Sequence, residues 1–326
     1  MNDKNNFLFK NVISLGGIMK LNDENVRLRN KQINDGILIH TCSDYGNSLE
    51  VIKKASFDTN DLRVMLKVYF NYPDRKNRRN KPIKKQIEEA LKRIGRMPTE
   101  FVLQFCCYFD SNIFKEKTFT TFLLELKRVY GIKTIYFEYY PVYNYNWELF
   151  LNLQKNLSSI NIGVTGYQNL FNRVFNEYDM KTLEVLNIPI ASIGFLGKNP
   201  KRDKNPKEYF EQMKINDADD IDLNFLYLIR NLMKMKNAKS FGITQVSSFK
   251  NYENLKYRFS KYNDQAEEIF SYLNNIIDLN KNINFIRRDQ YGGKYFFIDF
   301  IKNPKLLPHI IKKRALHYKT NTYYFS

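Results

Sequence analysis

A histidine, a tyrosine and a lysine lie close to the ends of two neighbouring apolar runs. The stretch "GILIHTCSDYGNSLEVIKKA", residues 36 to 55, carries His40 at the end of its apolar run and Tyr45 five residues later. The next apolar run, "RVMLKVYF", carries Lys67. A lysine ammonium beside a tyrosine hydroxyl lowers the pKa of the phenol, which can then pass a proton near neutral pH. The alternative is an exposed lysine at a strand end and a tyrosine packed at a turn, and spacing alone favours that alternative.

These residues belong to a chain in which short apolar runs alternate with amphipathic stretches. The runs predicted to be strands are Asn11 to Ser14, Gly36 to His40, Arg63 to Tyr69, Phe101 to Tyr108, Lys133 to Tyr139, Asn161 to Thr165, Ile188 to Ile193 and Ser240 to Val246. Several are continuously apolar, as buried parallel strands are. Strands alternating with helices predict an α/β fold, most economically a closed (β/α)₈ TIM barrel. A doubly wound open sheet fits the pattern nearly as well.

Five stretches between the strands have the spacing of helices. "KPIKKQIEEALKRIG" places its apolar residues on one stripe and ends at Gly95, and "KTFTTFLLELKRVYG" ends in the same way at Gly131. The second stripe is predicted to face inward through Phe119, Phe122, Leu123, Leu126 and Val129. The other candidates are "NWELFLNLQKNLSS", "NEYDMKTLEVLN" and "DLNFLYLIRNLMKMKNAKS".

Composition excludes several classes of protein. The chain has 326 residues, 43% of them apolar, and no apolar stretch reaches the roughly 18 residues that a membrane-spanning helix requires. The N-terminus lacks the apolar centre of a secretory signal, so we expect a cytoplasmic protein. Three cysteines and three scattered histidines predict neither a disulfide framework nor a metal site.

The net charge of +18 would attract nucleic acid, anionic membranes or phosphorylated small molecules. Its densest cluster is "DRKNRRNKPIKK", residues 74 to 85, in which no aromatic residue is available for base stacking. We interpret this cluster as a solvated loop. A phosphate-binding surface is the alternative, and nucleic-acid binding is supported by charge alone.

A carboxylate lies among tyrosines at the predicted end of the fifth strand. In "YFEYYPVYNYN", Glu138 is followed by Tyr139 and Tyr140. A tyrosine-rich rim binds sugar rings or bases through stacking and hydroxyl contacts. An aromatic strand surface beneath a loop is the slightly favoured alternative.

The order of these pieces resembles the aldo/keto reductase superfamily. "DGILIHTCSDYGNSLEVIKKA" is similar to the family's strand, Tyr-Gly turn and helix, and "VMLKV" to its next strand, which carries an active-site lysine. "IKKQIEEALKRIG" resembles the helix before the family's fourth strand. "GYQNLFNR" resembles a later family segment, and "VSSFKNYENL" the segment that grips the adenosine end of NADP. The pieces span residues 11 to 255, and the family fold is the (β/α)₈ barrel.

The resemblance implies roles for individual residues. The family's catalytic acid falls on Tyr45, and its lysine partner falls on Lys67. The residues that would bind NADP(H) are Ser247, Ser248, Lys250, Glu253 and Asn254. From the residues alone, Ser-Ser before "FKNYENL" is equally well explained as a helix N-cap, and both readings can hold because a helix N-terminus is itself an anion site.

The sequence departs from the family at several positions. The family's active-site aspartate falls on His40, and its active-site histidine falls on Phe105 or on Cys107, depending on the alignment. The positions that hold the nicotinamide carboxamide fall on Tyr139-Tyr140, near Thr165 and near Ile193. Of the cysteines, Cys106 and Cys107 are interpreted as small apolar residues, at least one of them buried.

Two functions therefore remain open. The first is a divergent NADPH-dependent reductase of a small carbonyl substrate, with Tyr45, Lys67 and His40 in the catalytic site. A sugar or nucleotide-sugar substrate would meet Glu138, Tyr139, Tyr140 and Cys107. The second is a barrel that lost hydride transfer and binds a nucleotide, a sugar or a partner protein. Residues 1 to 326 are interpreted as one domain with a C-terminal extension from about residue 257.

Overall fold

Eight parallel strands close into a barrel in the computed structural model. The structure describes residues 13–69, 81–106, 115, 117–138, 147–167, 182–193, 240–262, 287–288 and 295–297. The barrel strands are β1 (Ile13–Gly16), β2 (Leu38–Cys42), β3 (Arg63–Tyr69), β4 (Glu100–Cys106), β5 (Thr134–Glu138), β6 (Asn161–Tyr167), β7 (Ile190–Ile193) and β8 (Phe241–Gln245). Each strand pairs with the next, and β8 pairs with β1, which closes the cylinder. The predicted (β/α)₈ class is confirmed and the open sheet is excluded.

Helices cover the outside of the barrel. They are α1 (Asp23–Asn34), α2 (Ser48–Ala55), α3 (Ile83–Ile94), α4 (Lys117–Tyr130), α5 (Trp147–Asn156) and α6 (Phe249–Tyr262). A separate antiparallel pair is formed by β9 (Arg287–Arg288) and β10 (Tyr295–Phe297). No helix in the described ranges is both long enough and apolar enough to cross a membrane.

Two apolar clusters divide the core. The larger lies between strands and helices and contains the inward stripes of α3 and α4. The smaller fills the interior of the barrel with side chains from β2, β3, β4, β5, β7 and β8. Because consecutive residues of a strand point to opposite faces, β2, β3, β4, β5 and β7 contribute to both clusters.

Most predicted elements are present. All eight strands occur, and their described bounds differ from the predicted ones by two residues at most. The helices α3 and α4 are followed, as predicted, by Gly95 and Gly131, which have φ of 81° and 68°. "NEYDMKTLEVLN" is described only from residue 182, where four residues are helical. The helix predicted in "DLNFLYLIRNLMKMKNAKS" lies outside the described residues, except for its last residue.

Two predictions of detail are wrong. Val129 is 49% exposed, and Tyr130, four residues after Leu126, is buried in its place, because it continues the same helical stripe. Its hydroxyl donates to Glu88 on the adjacent helix. The end of the basic cluster is not a loop, since Ile83 to Lys85 form the first turn of α3. Residues 74 to 80 of that cluster lie outside the described residues.

A buried tyrosine on α6 contacts the end of α1. The Tyr252 hydroxyl on α6 donates to Asp35 Oδ2 at 2.7 Å, just after the end of α1. Lys256 donates to the same oxygen at 3.1 Å. Burial raises the pKa of Asp35, but hydrogen bonds from Lys31, Tyr252 and Lys256 outweigh it, so the carboxyl pKa is lowered. This contact reinforces the closure of the barrel between β8 and β1.

We predict that Tyr252→Phe lowers the free energy of unfolding by about 1–2 kcal/mol, because Asp35 loses a buried donor. Urea denaturation measures the change. The matched control is Tyr257→Phe on the same helix, where the side chain is 67% exposed and a change within about 0.5 kcal/mol is expected. Equal effects of the two variants would contradict the role of this hydrogen bond.

Candidate active site

Polar side chains replace the apolar ones toward the carboxyl ends of the strands, inside the barrel. Leu38, Met65 and Val102 lie in the interior cluster, on β2, β3 and β4. The residues two positions later on these strands point the same way; they are His40, Lys67 and Gln104. Lys67 pairs in register with Gln104 on one side and Cys42 on the other. His40, Lys67 and Gln104 therefore form the floor of a site at one end of the barrel, which is lined by basic groups and an amide.

Lys67 and Tyr45 meet at that end, as the sequence predicted. The Lys67 ammonium lies 4.8 Å from the centroid of the Tyr45 ring and 5.3 Å from that of Tyr69. At this distance the charge of Lys67 acts on the pKa of Tyr45, and the phenol acts on the pKa of Lys67. Both side chains are partly exposed, so the pair is open to a ligand. This geometry is not that of the alternative, in which Lys67 ends a strand in solvent.

Tyr45 lies in the turn between β2 and α2, and backbone hydrogen bonds fix that turn. The Tyr45 N–H donates to the Cys42 carbonyl at 3.0 Å, and the Ser48 N–H donates to the Tyr45 carbonyl at 3.1 Å. The Met19 N–H also donates to the Tyr45 carbonyl, at 3.3 Å. Gly46 adopts φ of 61°, a left-handed conformation that glycine adopts without strain. The Tyr-Gly pair thus turns the chain and aims the phenol into the barrel mouth.

The pKa of Tyr45 is raised, which corrects a simple expectation. Burial raises the pKa of the phenol, and the positive charge of Lys67 lowers it by a smaller amount. The pKa of Lys67 is lowered by burial, but attraction to the anionic forms of Cys106 and Tyr45 more than offsets this and holds it well above its usual value. At neutral pH the pair is therefore a phenol beside an ammonium, and the cation stabilises negative charge that develops on the phenol oxygen.

His40 is buried beneath this pair and is neutral. Its Nε2 lies 2.7 Å from Gln104 Oε1, across the interior from β2 to β4. The residue is 4% exposed, and Gly16 leaves the space for its ring, since a Cβ there would lie 2.8 Å from Nδ1. Burial lowers the pKa of His40 to about 3, helped by repulsion from Lys67. His40 therefore brings no charge to the position of the family's aspartate.

A buried carboxylate lies on the other side of the mouth. Glu138, at the end of β5, is 1% exposed and accepts a hydrogen bond from the Cys106 thiol at 3.1 Å. The Cys42 thiol donates to the Tyr69 hydroxyl at 3.4 Å. Burial raises the pKa of Cys42 and of Tyr69. The Cys42 and Cys106 thiols thus lie close enough to Lys67 to act on its charge. The predicted burial of at least one of the adjacent cysteines is confirmed at Cys106.

The position expected for the family's histidine needs correction. Phe105 points outward and packs against Phe137 with ring centroids 5.3 Å apart, in the cluster between barrel and helices. The inward residue at the end of β4 is instead Cys106. The other alignment, at Cys107, lies outside the described residues, as do Tyr139 and Tyr140.

The predicted phosphate-binding residues lie where β8 leads into α6. Ser248 caps the helix, since its Oγ accepts from the Asn251 N–H at 3.2 Å, which confirms the N-cap reading. Ser247, Lys250, Glu253 and Asn254 are exposed. The helix N-terminus adds a partial positive charge, so this rim can hold an anion. It is at the same end of the barrel as Tyr45 and Lys67, because all eight strands are parallel.

Three residues that sequence reasoning missed complete the site: Gln104, Tyr69 and Cys106. The signal for Gln104 was present, since it is a polar residue within the apolar strand "EFVLQFC". Its position two residues after Val102 would have placed it inside the barrel. Nothing in the sequence identified its partner, because His40 is 64 residues away.

The fold is shared with solved aldo-keto reductases. An aldo-keto reductase from Klebsiella pneumoniae in complex with NADPH matches with a TM-score of 0.55 at 13% identity, over 79% of this chain and 90% of that one. A thermostable aldo-keto reductase in complex with the inhibitor epalrestat matches with 0.54 at 17% identity, over 75% and 88%. Aldose reductase from Giardia lamblia matches with 0.53 at 15% identity, over 84% and 94%.

At these identities the likeness establishes the fold, which is the (β/α)₈ barrel of the aldo-keto reductases. The predicted resemblance is confirmed at that level. No family model and no curated protein sequence matches the chain.

Because the folded protein holds His40 neutral, its stability must depend on pH. Below the usual pKa of about 6.5 the unfolded chain binds a proton that the native state does not, so stability is complete above that pKa and falls as pH falls toward 3. From about pH 7 to about pH 5 we expect a loss of about 2 kcal/mol from this residue.

Urea denaturation at the two pH values measures this loss. In His40→Gln the loss of unfolding free energy over this interval should be about 2 kcal/mol smaller than in wild type. The glutamine does not titrate, and the other titrating groups are unchanged. The interpretation fails if wild type and variant lose the same stability over this interval.

Proposed function

We propose that the protein is an NADP(H)-dependent oxidoreductase of the aldo-keto reductase type that reduces a small carbonyl compound. The observation that carries the proposal is the Lys67 ammonium 4.8 Å from the Tyr45 ring at the carboxyl end of the barrel. Catalytic groups of (β/α)₈ enzymes lie at this end. The structural neighbours support the proposal, since one of them was solved with NADPH.

Tyr45 is the proton donor in this proposal. The raised pKa keeps the phenol protonated at neutral pH, which is the form that a proton donor needs. As the Tyr45 hydroxyl gives its proton to the carbonyl oxygen, negative charge develops on the phenol oxygen and Lys67 stabilises it. A bound cofactor would supply the hydride that reaches the carbonyl carbon. Solvent at the partly exposed mouth then returns a proton to Tyr45.

His40 acts in this proposal through the floor of the site. It is buried and hydrogen-bonded to Gln104, and neutral at physiological pH. It therefore leaves Lys67 without a carboxylate neighbour at the position where the family has one. We expect the charge of Lys67 to act on Tyr45 and on the substrate oxygen without competition from that position.

The rim at α6 fits the phosphate of the cofactor. Lys250 is exposed next to a helix N-terminus that Ser248 caps, and Ser247 offers an exposed hydroxyl. Such a terminus binds phosphate through its N–H groups and its dipole. Glu253 and Asn254 lie on exposed faces of the next turn, where they could contact the adenine.

The substrate would contact the opposite side of the mouth. The proposal of a sugar or nucleotide-sugar substrate rests on the sequence at the end of β5, where Glu138, Tyr139, Tyr140 and Cys107 offer acceptors and aromatic rings for sugar hydroxyls and sugar rings.

A second function is favoured by one observation. The Thr165 hydroxyl donates to the Ala191 carbonyl at 2.7 Å, and Ile193 is apolar, so neither side chain offers a donor to a nicotinamide carboxamide. A barrel that binds a nucleotide or a sugar without hydride transfer fits these positions. Absence of NADPH binding would exclude the first proposal and leave the second.

Titration of the protein with NADPH, followed by the cofactor's fluorescence, is expected to give a dissociation constant in the micromolar range. Lys250→Ala should weaken NADPH binding roughly tenfold, because one charged contact to phosphate is lost. Lys54→Ala, at an exposed site on α2, removes the same charge and should leave the affinity unchanged. If neither NADPH nor NADH binds, the reductase proposal fails and the second function stands.

A further inference from the structure

Arg93 holds the turn that carries Tyr45. Its guanidinium donates from Nη1 to the Ser43 carbonyl at 3.2 Å and from Nη2 to the Gly46 carbonyl at 3.1 Å. These two carbonyls lie on either side of Tyr45 in the chain. The arginine projects from α3, which follows β3, so it joins the turn to the helix of the neighbouring barrel unit.

The same guanidinium is oriented by Glu50. Arg93 Nε donates to Glu50 Oε1 at 2.7 Å and Nη2 donates to Oε2 at 3.0 Å, a two-bond contact with the first turn of α2. Such a fork fixes the plane of an arginine. The hydrogen bond from Arg93 is the main reason why the pKa of Glu50 is lowered. The carboxylate thus stays charged at neutral pH and keeps the fork in place.

On its inner side the turn rests on the segment after β1. The Met19 N–H donates to the Tyr45 carbonyl, and the Asn47 N–H donates to the Met19 carbonyl at 2.9 Å. A Cβ on Gly46 would lie 2.8 Å from the Met19 carbonyl oxygen, so the two segments are in close contact. The turn is therefore held from the inside by backbone and from the outside by Arg93.

This arrangement matters because the two groups of the site have different supports. Lys67 is on a strand with neighbours on both sides, whereas Tyr45 is on a turn. A shift of about 1 Å in a reacting group can lower a rate about a hundredfold. The placement of the phenol against the ammonium thus depends on what fixes the turn.

We propose that Arg93, oriented by Glu50, is a positioning residue that fixes Tyr45 against Lys67. The inference rests on the proposed function for its effect on turnover, but its effect on the turn is independent of that function. Arg93 does not contact the barrel mouth itself and acts through the backbone of residues 43 to 46. As an ion pair alone it would stabilise the protein very little, because both side chains are 32% exposed.

Arg96 is the matched control. It follows the same helix, and its Nη1 also donates to two backbone carbonyls, those of Ser56 and Thr59. Those carbonyls follow α2 and precede β3, at the opposite end of the barrel from Tyr45. Arg96→Ala thus removes arginine-to-carbonyl contacts of the same kind and leaves the contacts of the Tyr45 turn in place.

The experiment compares wild type, Arg93→Ala, Arg93→Lys and Arg96→Ala in two measurements. Hydrogen exchange followed by mass spectrometry reports the amides of residues 43 to 48. Steady-state oxidation of NADPH with 4-nitrobenzaldehyde as the probe reports kcat and KM. Arg93→Ala should speed exchange in the turn at least about tenfold and lower kcat about ten- to a hundredfold, with KM within about twofold.

Arg93→Lys should recover little of either effect, because a lysine cannot reproduce the two-sided fork. Arg96→Ala should leave exchange in the turn and kcat as in wild type. Unchanged exchange in Arg93→Ala, or faster exchange with an unchanged kcat, would overturn the proposal. If wild type itself does not oxidise NADPH, the proposed function fails separately, and the exchange measurement alone then decides whether Arg93 fixes the turn.

Discussion

The contact between the Lys67 ammonium and the Tyr45 phenol is the constraint on which the site depends. The contact exists because β2 and β3 are neighbouring parallel strands of a closed barrel. The turn after β2 therefore lies beside the inward side chains of β3. The lysine is at a fixed register on β3, and the tyrosine reaches it from a turn whose backbone is hydrogen-bonded on both sides. Closure of the barrel thus brings a lysine and a tyrosine from two separate parts of the sequence into contact.

Burial decides how that group behaves. It raises the pKa of Tyr45 and lowers that of His40, so the mouth contains a protonated phenol and a neutral imidazole. Lys67 is the one cation among the inward residues described at the ends of β2, β3 and β4. His40 and Gln104 occupy the floor without adding charge, and the imidazole Nε2 pairs with the amide Oε1 across the barrel. The site therefore differs in charge from the pattern that the resemblance implies, and it brings Tyr45 and Lys67 together.

Much of the fold was predictable because local pattern and tertiary structure agree. Strands such as "RVMLKVY" are mostly apolar, as is typical of a buried parallel strand, and the ends of α3 and α4 were marked by glycines that adopt positive φ. Periodicity alone did not separate Val129 from Tyr130, since positions three and four residues after Leu126 both fit a helical stripe and only Tyr130 is buried.

The candidate site was predictable only in part. The meeting of Tyr45 and Lys67 followed from the order of motifs, because strand order fixes which ends are neighbours. The partnership of His40 with Gln104 and the contact of Arg93 with the Tyr45 turn join residues 64 and about 50 positions apart. No local pattern encodes such contacts, since they depend on how the barrel closes and how the helices pack. The charge of the floor could not be inferred for the same reason.

The measurement that tests the account most directly is a double-mutant cycle in single-turnover oxidation of NADPH by 4-nitrobenzaldehyde. It compares wild type, Tyr45→Phe, Lys67→Met and the double variant, because two groups that act as one unit give strongly non-additive losses. The account predicts that the double variant is no slower than the slower single variant. Losses that multiply, or a Tyr45→Phe variant as fast as wild type, would contradict it.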